Sequence, residues 1–255
     1  MRAFAANGIA LAVDAADGGR ITSLTAHGRE WLAPSAPRSA TESFVAAGTG
    51  GWDEVTPTVR ASTLPDGTVL RDHGDAWRTP WSVLVETPSE LVMAVELESV
   101  GVRLERRIRA GARGVRLDYR ATTEKTLPVP LLWCAHPLFD ASGGARIVAS
   151  GELTAEYPER GIPVAWPAEV GPGALKAFAS GTTTAEIVQP DGRSLRLTWD
   201  LPHAGFYWDG GEFSDQPVIA VEPSTGASDS ADVVLDQLPT VVAGAALGWW
   251  LELTL

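Results

Sequence analysis

In the stretch VRLERRIRA (residues 102–110), apolar and charged residues take turns almost without a break. Val102, Leu104 and Ile108 share one parity, and Arg103, Glu105, Arg107 and Arg109 share the other. GVRLDYRAT repeats the pattern with Val115, Leu117 and Tyr119 against Arg116, Asp118 and Arg120, and RSLRLTW (193–199) repeats it again. Successive side chains point to opposite faces only in a strand, so this periodicity predicts antiparallel strands with one face buried. GARG, between the first two runs, has the composition of a hairpin turn. Further turn signals follow at DGG (17), HG (27), PDG (65), SGG (142), PDG (190) and DGG (209). With 18 prolines and 26 glycines in 255 residues, long helices have little room. A turn or two near SADVVLDQL (230–238) is the one helical candidate. No shift of composition marks a boundary and no repeat is visible. The expectation is therefore one all-β domain spanning residues 1–255, built from packed antiparallel sheets.

Charge and cysteine content narrow the function. A formal net charge of −12 argues against a nucleic-acid or anionic-membrane partner, each of which needs a basic surface. Lys125 and Lys176 are the only lysines, and with the alanine richness this reads as genome composition. Cys134 is the only cysteine, so no disulfide forms within the chain. The first residues do not follow a signal-peptide pattern, and no window approaches the roughly 18 apolar residues of a membrane span. A cytoplasmic protein is expected.

Several familiar motifs are missing. AGTGGWDE (47–54) is glycine-rich but lacks the GK[ST] of a phosphate loop, and there is no G-x-S-x-G elbow. The four histidines lack metal-ligand spacing, so no metal is expected. Ten tryptophans are many; core packing is their ordinary role. Trp52, Trp77, Trp81 and Trp208 lie in or next to turn-rich segments, where stacking on a sugar ring is the alternative.

Three ionisable residues stand where they are not needed for folding. Glu222 in VIAVEPSTG (218–226) shares a strand face with Val218 and Ala220, where a carboxylate is costly unless it is paired. It is either a strand-end glutamate reaching solvent or an arginine, or a functional group. His136 in VPLLWCAHPLF (129–139) shares a face with Leu132, Cys134 and Leu138, and is either a satisfied core histidine or a site residue. Each immediately precedes a proline, which has no N–H to continue a ladder and holds the preceding residue extended. Both strands are thus expected to stop where a side chain is aimed. His73 in RDHGDAWRTPW (71–81) lies on a polar, aromatic loop. One glutamate and two histidines without a nucleophile or metal signature suggest general acid–base chemistry.

These residues carry a resemblance. GGRITSLTAHGREWL (18–32), GGWDEVTPTV (50–59), DHGDAW (72–77), WCAHPLF (133–139), VIAVEPSTG (218–226) and LGWWLELTL (247–255) resemble, in order, segments of the aldose 1-epimerases, the galactose mutarotase group. The resemblance implies a large twisted antiparallel β-supersandwich with a sugar cleft on its concave face and no cofactor. It implies Glu222 as the base that takes the proton of the anomeric hydroxyl, His136 as the acid that protonates the ring oxygen, and His73 as a second histidine near that oxygen. A carboxylate beside His136 would favour the imidazolium that an acid needs.

The sequence also departs from the group. Galactose mutarotases carry an Asn-Arg pair after an early glycine-containing loop; here GTGGWDEVTPTV offers Asp53 and Glu54. These two, with Trp52 stacking, are candidates for hydroxyl recognition, and turn capping is their alternative role. The related hexose-6-phosphate epimerases have an HG-x-x-R element, whereas HGDAWR sets Arg78 one position later. Arg71 and Arg78 remain candidate contacts, but an acidic setting favours an unphosphorylated sugar. FYWDGGE (206–212) resembles a segment near the cleft of those epimerases, which adds Trp208 and Asp209. The expected activity is anomer interconversion of a hexose or related aldose by a monomer or homodimer. A non-catalytic carbohydrate-binding protein on the same fold, or an epimerase of phosphorylated hexoses, are the alternatives.

Overall fold

The structure is a computed structural model that describes residues 1–38, 43–111 and 113–255. Every pairing between its strands is antiparallel. The larger sheet has Arg2–Ala6 at one edge and then runs Ile9–Asp14, Arg20–Ala26, Trp52–Val55, Cys134–Pro137, Val218–Ser224, His203–Asp209, Ala174–Ser180, Leu153–Tyr157 and Pro163–Val164. Arg29–Glu30 pairs with Arg20–Ala26, and Phe139–Asp140 with Val218–Ser224. The second sheet runs Arg146–Val148, Thr184–Val188, Ser194–Trp199, Leu247–Thr254, Gly114–Thr123, Val102–Ala110, Glu90–Leu97 and Ser82–Thr87. These are the packed antiparallel sheets that the alternation predicts.

The alternating runs explain why the sheets face each other. In Val102–Ala110, Val102, Leu104 and Ile108 are buried, while Arg107 and Arg109 are exposed. The buried parity meets Ile21, Phe206, Ile219 and Val221 of the larger sheet in one continuous core. Burial of such side chains stabilises by about 1.5–3 kcal/mol each relative to exposure, an upper bound because the unfolded chain is itself partly collapsed. Val102–Ala110 and Gly114–Thr123 form the expected hairpin, with Ile108 opposite Leu117. Ala112 of the GARG turn lies outside the described residues.

Two local expectations are corrected. SADVVLDQL holds a single 3-10 turn, Leu235–Gln237, as expected, but it is not the one helical segment. Upstream, Ser228 Oγ accepts from the Ser230 amide, a local bond that competes with helix, and Pro239 prevents continuation. Phe44–Ala47 also makes a single α-turn, N-capped by Ser43 Oγ at 3.3 Å from the Ala46 amide. The second correction concerns the strand ends. Glu222 lies within Val218–Ser224, and Pro223 still pairs with Ala204, as Pro137 does with Trp52.

Candidate active site

The two prolines act on the seam between their strands. The Thr225 amide donates to Trp133 O at 3.0 Å, which shows which backbone groups face across this seam. By the two-residue period, the donor positions that follow across the seam are 223 on one strand and 135 and 137 on the other, and Pro223 and Pro137 have no N–H to offer there. The ladder accordingly has Cys134 opposite Ser224 and resumes only at Phe139 opposite Ile219. Continuing that register across the gap places His136 opposite Glu222. The sheet is unzipped beneath these two side chains while each strand stays paired on its far edge.

One face of the sheet gathers the remaining groups. Gly205 pairs with Glu222, and Tyr207 pairs with Lys176. A Cβ on Gly205 would stand 3.2 Å from Glu222 Oε2 and 3.4 Å from Lys176 Cε, so glycine opens the path by which Lys176 crosses to the carboxylate. Lys176 Nζ lies 2.6 Å from Glu222 Oε2 and 2.7 Å from Asp229 Oδ1. Cys134 Sγ is 3.5 Å from the same Glu222 Oε2. Glu222 Oε1 is 3.8 Å from His136 Nε2 and has no hydrogen-bond partner among the described residues. Glu222 is fully buried.

The histidines form an aromatic corner. His73 sits in the left-handed region at φ 57°, followed by Gly74 at φ 68°. A Cβ on Gly74 would meet Thr56 O at 2.0 Å, so this loop packs backbone to backbone against the residues after Trp52–Val55. The His73 amide donates to Val59 O at 2.7 Å, and its Nδ1 is 2.9 Å from Asp72 Oδ2. Phe44 stacks on the His73 ring at 4.0 Å, and the His136 ring stands edge-on to both, 5.5 Å from His73. His73, His136, Lys176, Glu222 and Asp229 line a cavity of about 310 Å3, whose other walls include Leu138, Tyr207 and Phe213.

Electrostatics overturn one expectation. His136 is held neutral: burial, then the nearby His73 and Lys176, push its pKa well below the ordinary histidine value. The carboxylate expected to sustain an imidazolium is engaged by Lys176 instead. Burial opposes the charge on Lys176, but Asp229 and Glu222 outweigh it and hold its pKa well above the usual lysine value. Burial, reinforced by Glu222, raises Cys134 far enough to keep it a thiol. For Asp72 the burial penalty is outweighed by the hydrogen bond and charge of His73, so its pKa falls.

Strand parity sorts the other candidates. Trp52 and Glu54 share the parity opposite to His136 and point into the space between the sheets. Trp52 is fully buried there, and Glu54 Oε1 accepts from Arg106 and from the Tyr119 hydroxyl, each at 2.8 Å. Asp53 shares the parity of His136, but Arg38 bonds its Oδ2 and Arg20 lies 3.8 Å away. Trp208 packs in the core against Trp166 and Phe206. Asp209 accepts from the amides of Gly211, Glu212 and Phe213, which shapes the loop that brings Phe213 to the cavity. Arg78 lies over the Trp77 ring, and neither it nor Arg71 is among the cavity-lining residues. Thus the structure brings Glu222, His136 and His73 together, and sets Trp52, Asp53, Glu54, Arg71, Arg78, Trp208 and Asp209 outside the cavity wall. Sequence reasoning passed over Lys176, Asp229, Asp72, Tyr207 and Phe44. Lys176 carried a signal: one of two lysines in the chain, alone among apolar residues in ALKAFAS.

No family model matches the chain, and no curated protein matches its sequence. Solved structures do match. A galactose mutarotase-like protein from Lactobacillus casei superposes with a TM-score of 0.76 at 16% identity, covering 100% of this chain and 99% of that one. The fold is galactose mutarotase-like. A galactose mutarotase related enzyme from Lactobacillus acidophilus gives 0.73 at 13% identity, covering 100% and 97%. The GalM/aldose epimerase homologue from C. elegans gives 0.69 at 13%, covering 99% and 97%. The galactose mutarotase-like fold is therefore matched end to end. Among the described residues no helix is long and apolar enough to cross a membrane.

Proposed function

We propose that the protein is an aldose 1-epimerase that interconverts the α and β anomers of a free hexose or related aldose. The observation that carries this reading is Glu222 Oε1: a fully buried carboxylate oxygen at the cavity, 3.8 Å from a histidine, with no hydrogen-bond partner among the described residues. Leaving such an atom unmatched is costly, and a sugar hydroxyl supplies the missing donor. Glu222 takes the proton of the anomeric hydroxyl as the C1–ring oxygen bond breaks, and the histidine pair delivers a proton to the ring oxygen. Rotation about C1–C2 then presents either face of the aldehyde. On closure the C5 hydroxyl returns its proton to the pair, and Glu222 gives its proton to the new anomeric hydroxyl, so the protein ends unchanged. Two imidazoles 5.5 Å apart repel as cations, and Asp72 Oδ2, 2.9 Å from His73 Nδ1, offers a counter-charge to a proton passing through this corner.

Polarimetry of freshly dissolved α-glucose and α-galactose tests the proposal. Wild type is expected to speed equilibration over buffer, and Glu222→Gln and His136→Ala to lose about 10²–10⁴-fold of that acceleration. Sugar binding without acceleration would overturn the reading in favour of a binding protein. Acceleration confined to a hexose 6-phosphate would overturn the choice of a free sugar.

A further inference from the structure

The Glu222 carboxylate is held from two sides by groups of different character. His136 stands on the neighbouring strand and faces Oε1. Lys176 reaches from two strands away on the opposite side, over Gly205, and engages Oε2. Lys176 is nearly buried, and its second carboxylate, Asp229, is fixed independently. The amides of Val59 and Arg60 donate to Asp229 O at 3.0 and 2.7 Å, and the Asp229 amide donates to Glu156 Oε1. Lys176 therefore bridges two anions that would otherwise share one buried corner.

We propose that Lys176 is a positioning residue for Glu222: it occupies Oε2 so that Oε1 is the oxygen that accepts the proton, and it lets Glu222 and Asp229 stay ionised side by side. This rests on the reading of Glu222 as the base. The other groups facing Glu222 do not replace Lys176. From the strand on one side come neutral His136 and the Cys134 thiol. From the strand on the other comes Tyr207, whose pKa is pushed far up by burial, then by Asp209. His73 lies behind His136. None of these brings a cation to Oε2. Without Lys176, two carboxylates in one buried site favour sharing a proton, and a base that holds a proton is no base.

The test is a carboxyl-carbon NMR titration of 13C-glutamate-labelled protein, with the Glu222 signal identified by its absence from Glu222→Gln. In Lys176→Met, Glu222 is expected to take up its proton at least about one pH unit higher than in wild type. In the polarimetric assay, the acid limb of kcat/KM is expected to move by the same amount, so that the variant loses progressively more as the pH falls, approaching about tenfold on the acid side of both limbs. Lys176→Met/Asp229→Asn, with the second carboxylate neutralised, is expected to return both readouts toward wild type. Asp229→Asn alone keeps Lys176 on Glu222, and should show no upward shift even if Lys176→Met does not fold. An unshifted titration in Lys176→Met, a double variant that stays shifted, or an upward shift in Asp229→Asn would each overturn the proposal. The titration needs no substrate. A wild type that accelerates no aldose would sink the epimerase reading and leave this outcome standing on its own.

Discussion

Two clusters of buried charge lie on opposite faces of the larger sheet, and they are built from the same parts. Between the sheets, Glu54 meets Arg106 and Tyr119. On the cavity side, Glu222 meets Lys176 and Asp229. Both carboxylates are fully buried in strands of the larger sheet. They differ in what is left over. Glu54 has one cation, Arg106; burial raises its pKa despite that charge, and its Oε2 also lacks a hydrogen-bond partner among the described residues, but Glu54 does not line the cavity. Glu222 leaves an oxygen turned toward a histidine and a cavity, and the cation it uses is shared with another anion. Burial of a charge therefore does not mark a site in this fold. An unmatched oxygen on a carboxylate that lines a cavity does.

The largest contrast comes from the same substitution made twice. Glu222→Gln is expected to remove about 10²–10⁴-fold of the rate while changing stability little, because Lys176 keeps Asp229. Glu54→Gln leaves the buried Arg106 guanidinium without its counter-charge, with an amide oxygen, the Gly19 carbonyl and the Trp81 ring as its neutral neighbours. Removing one partner of a buried pair costs about 3–5 kcal/mol. Urea unfolding beside polarimetry separates the two. If Glu222→Gln unfolds as readily as Glu54→Gln, the distinction between an open and a closed cluster is lost.

A smaller effect is read in acid. His136 has a folded-state pKa below its unfolded value near 6.5, so the unfolded chain binds the extra proton. Its contribution to stability is present above that pH and is lost as the pH falls toward the folded-state value. Urea midpoints at pH 7.5 and pH 5 are expected to differ less in His136→Gln than in wild type. An identical difference in both proteins would mean that His136 is not buried neutral.

Much of this was legible in the sequence, for reasons that also explain the rest. Alternation such as that of Val102, Leu104 and Ile108 defines faces, so the sheets and their core follow from it. Glu222 and His136 stood out because each is a polar group on an apolar face beside a proline. The same parity rule also separates Asp53 from its neighbours Trp52 and Glu54, but only once the direction of that strand in the sheet is known. Whether a residue faces cavity or core is a property of the assembled sheet. Arg106 sits between Leu104 and Ile108 on the buried parity, and Lys176 lies in an apolar strand. Each is a visible anomaly, but its partner is 52 or 46 residues away in the chain, and no local pattern names it. Asp229 comes from a loop and Phe44 from a single α-turn, where the two-residue period carries no information about direction.

The smallest expected effect tests how finely the open cluster is set. Gly205 has an ordinary strand conformation, so its role is space and not backbone freedom. Gly205→Ala puts a methyl group 3.2 Å from Glu222 Oε2 and 3.4 Å from both Glu222 Cβ and Lys176 Cε. The lysine stem is the mobile partner, so it is expected to yield by a few tenths of an ångström, at about 1 kcal/mol of stability. Glu222 is then held less well. A full ångström of misplacement costs about 10²-fold in rate, so a fraction of that shift predicts a loss of about tenfold or less in kcat. The closed cluster provides the control, since the methyl group lies on the other face of the sheet and should leave the Glu54 region untouched. A loss in kcat with KM nearly constant would show that the methyl group disturbs the proton transfer and not the fit of the sugar. A rise in KM alone would place Gly205 at the cavity wall and separate it from the Lys176–Glu222 contact.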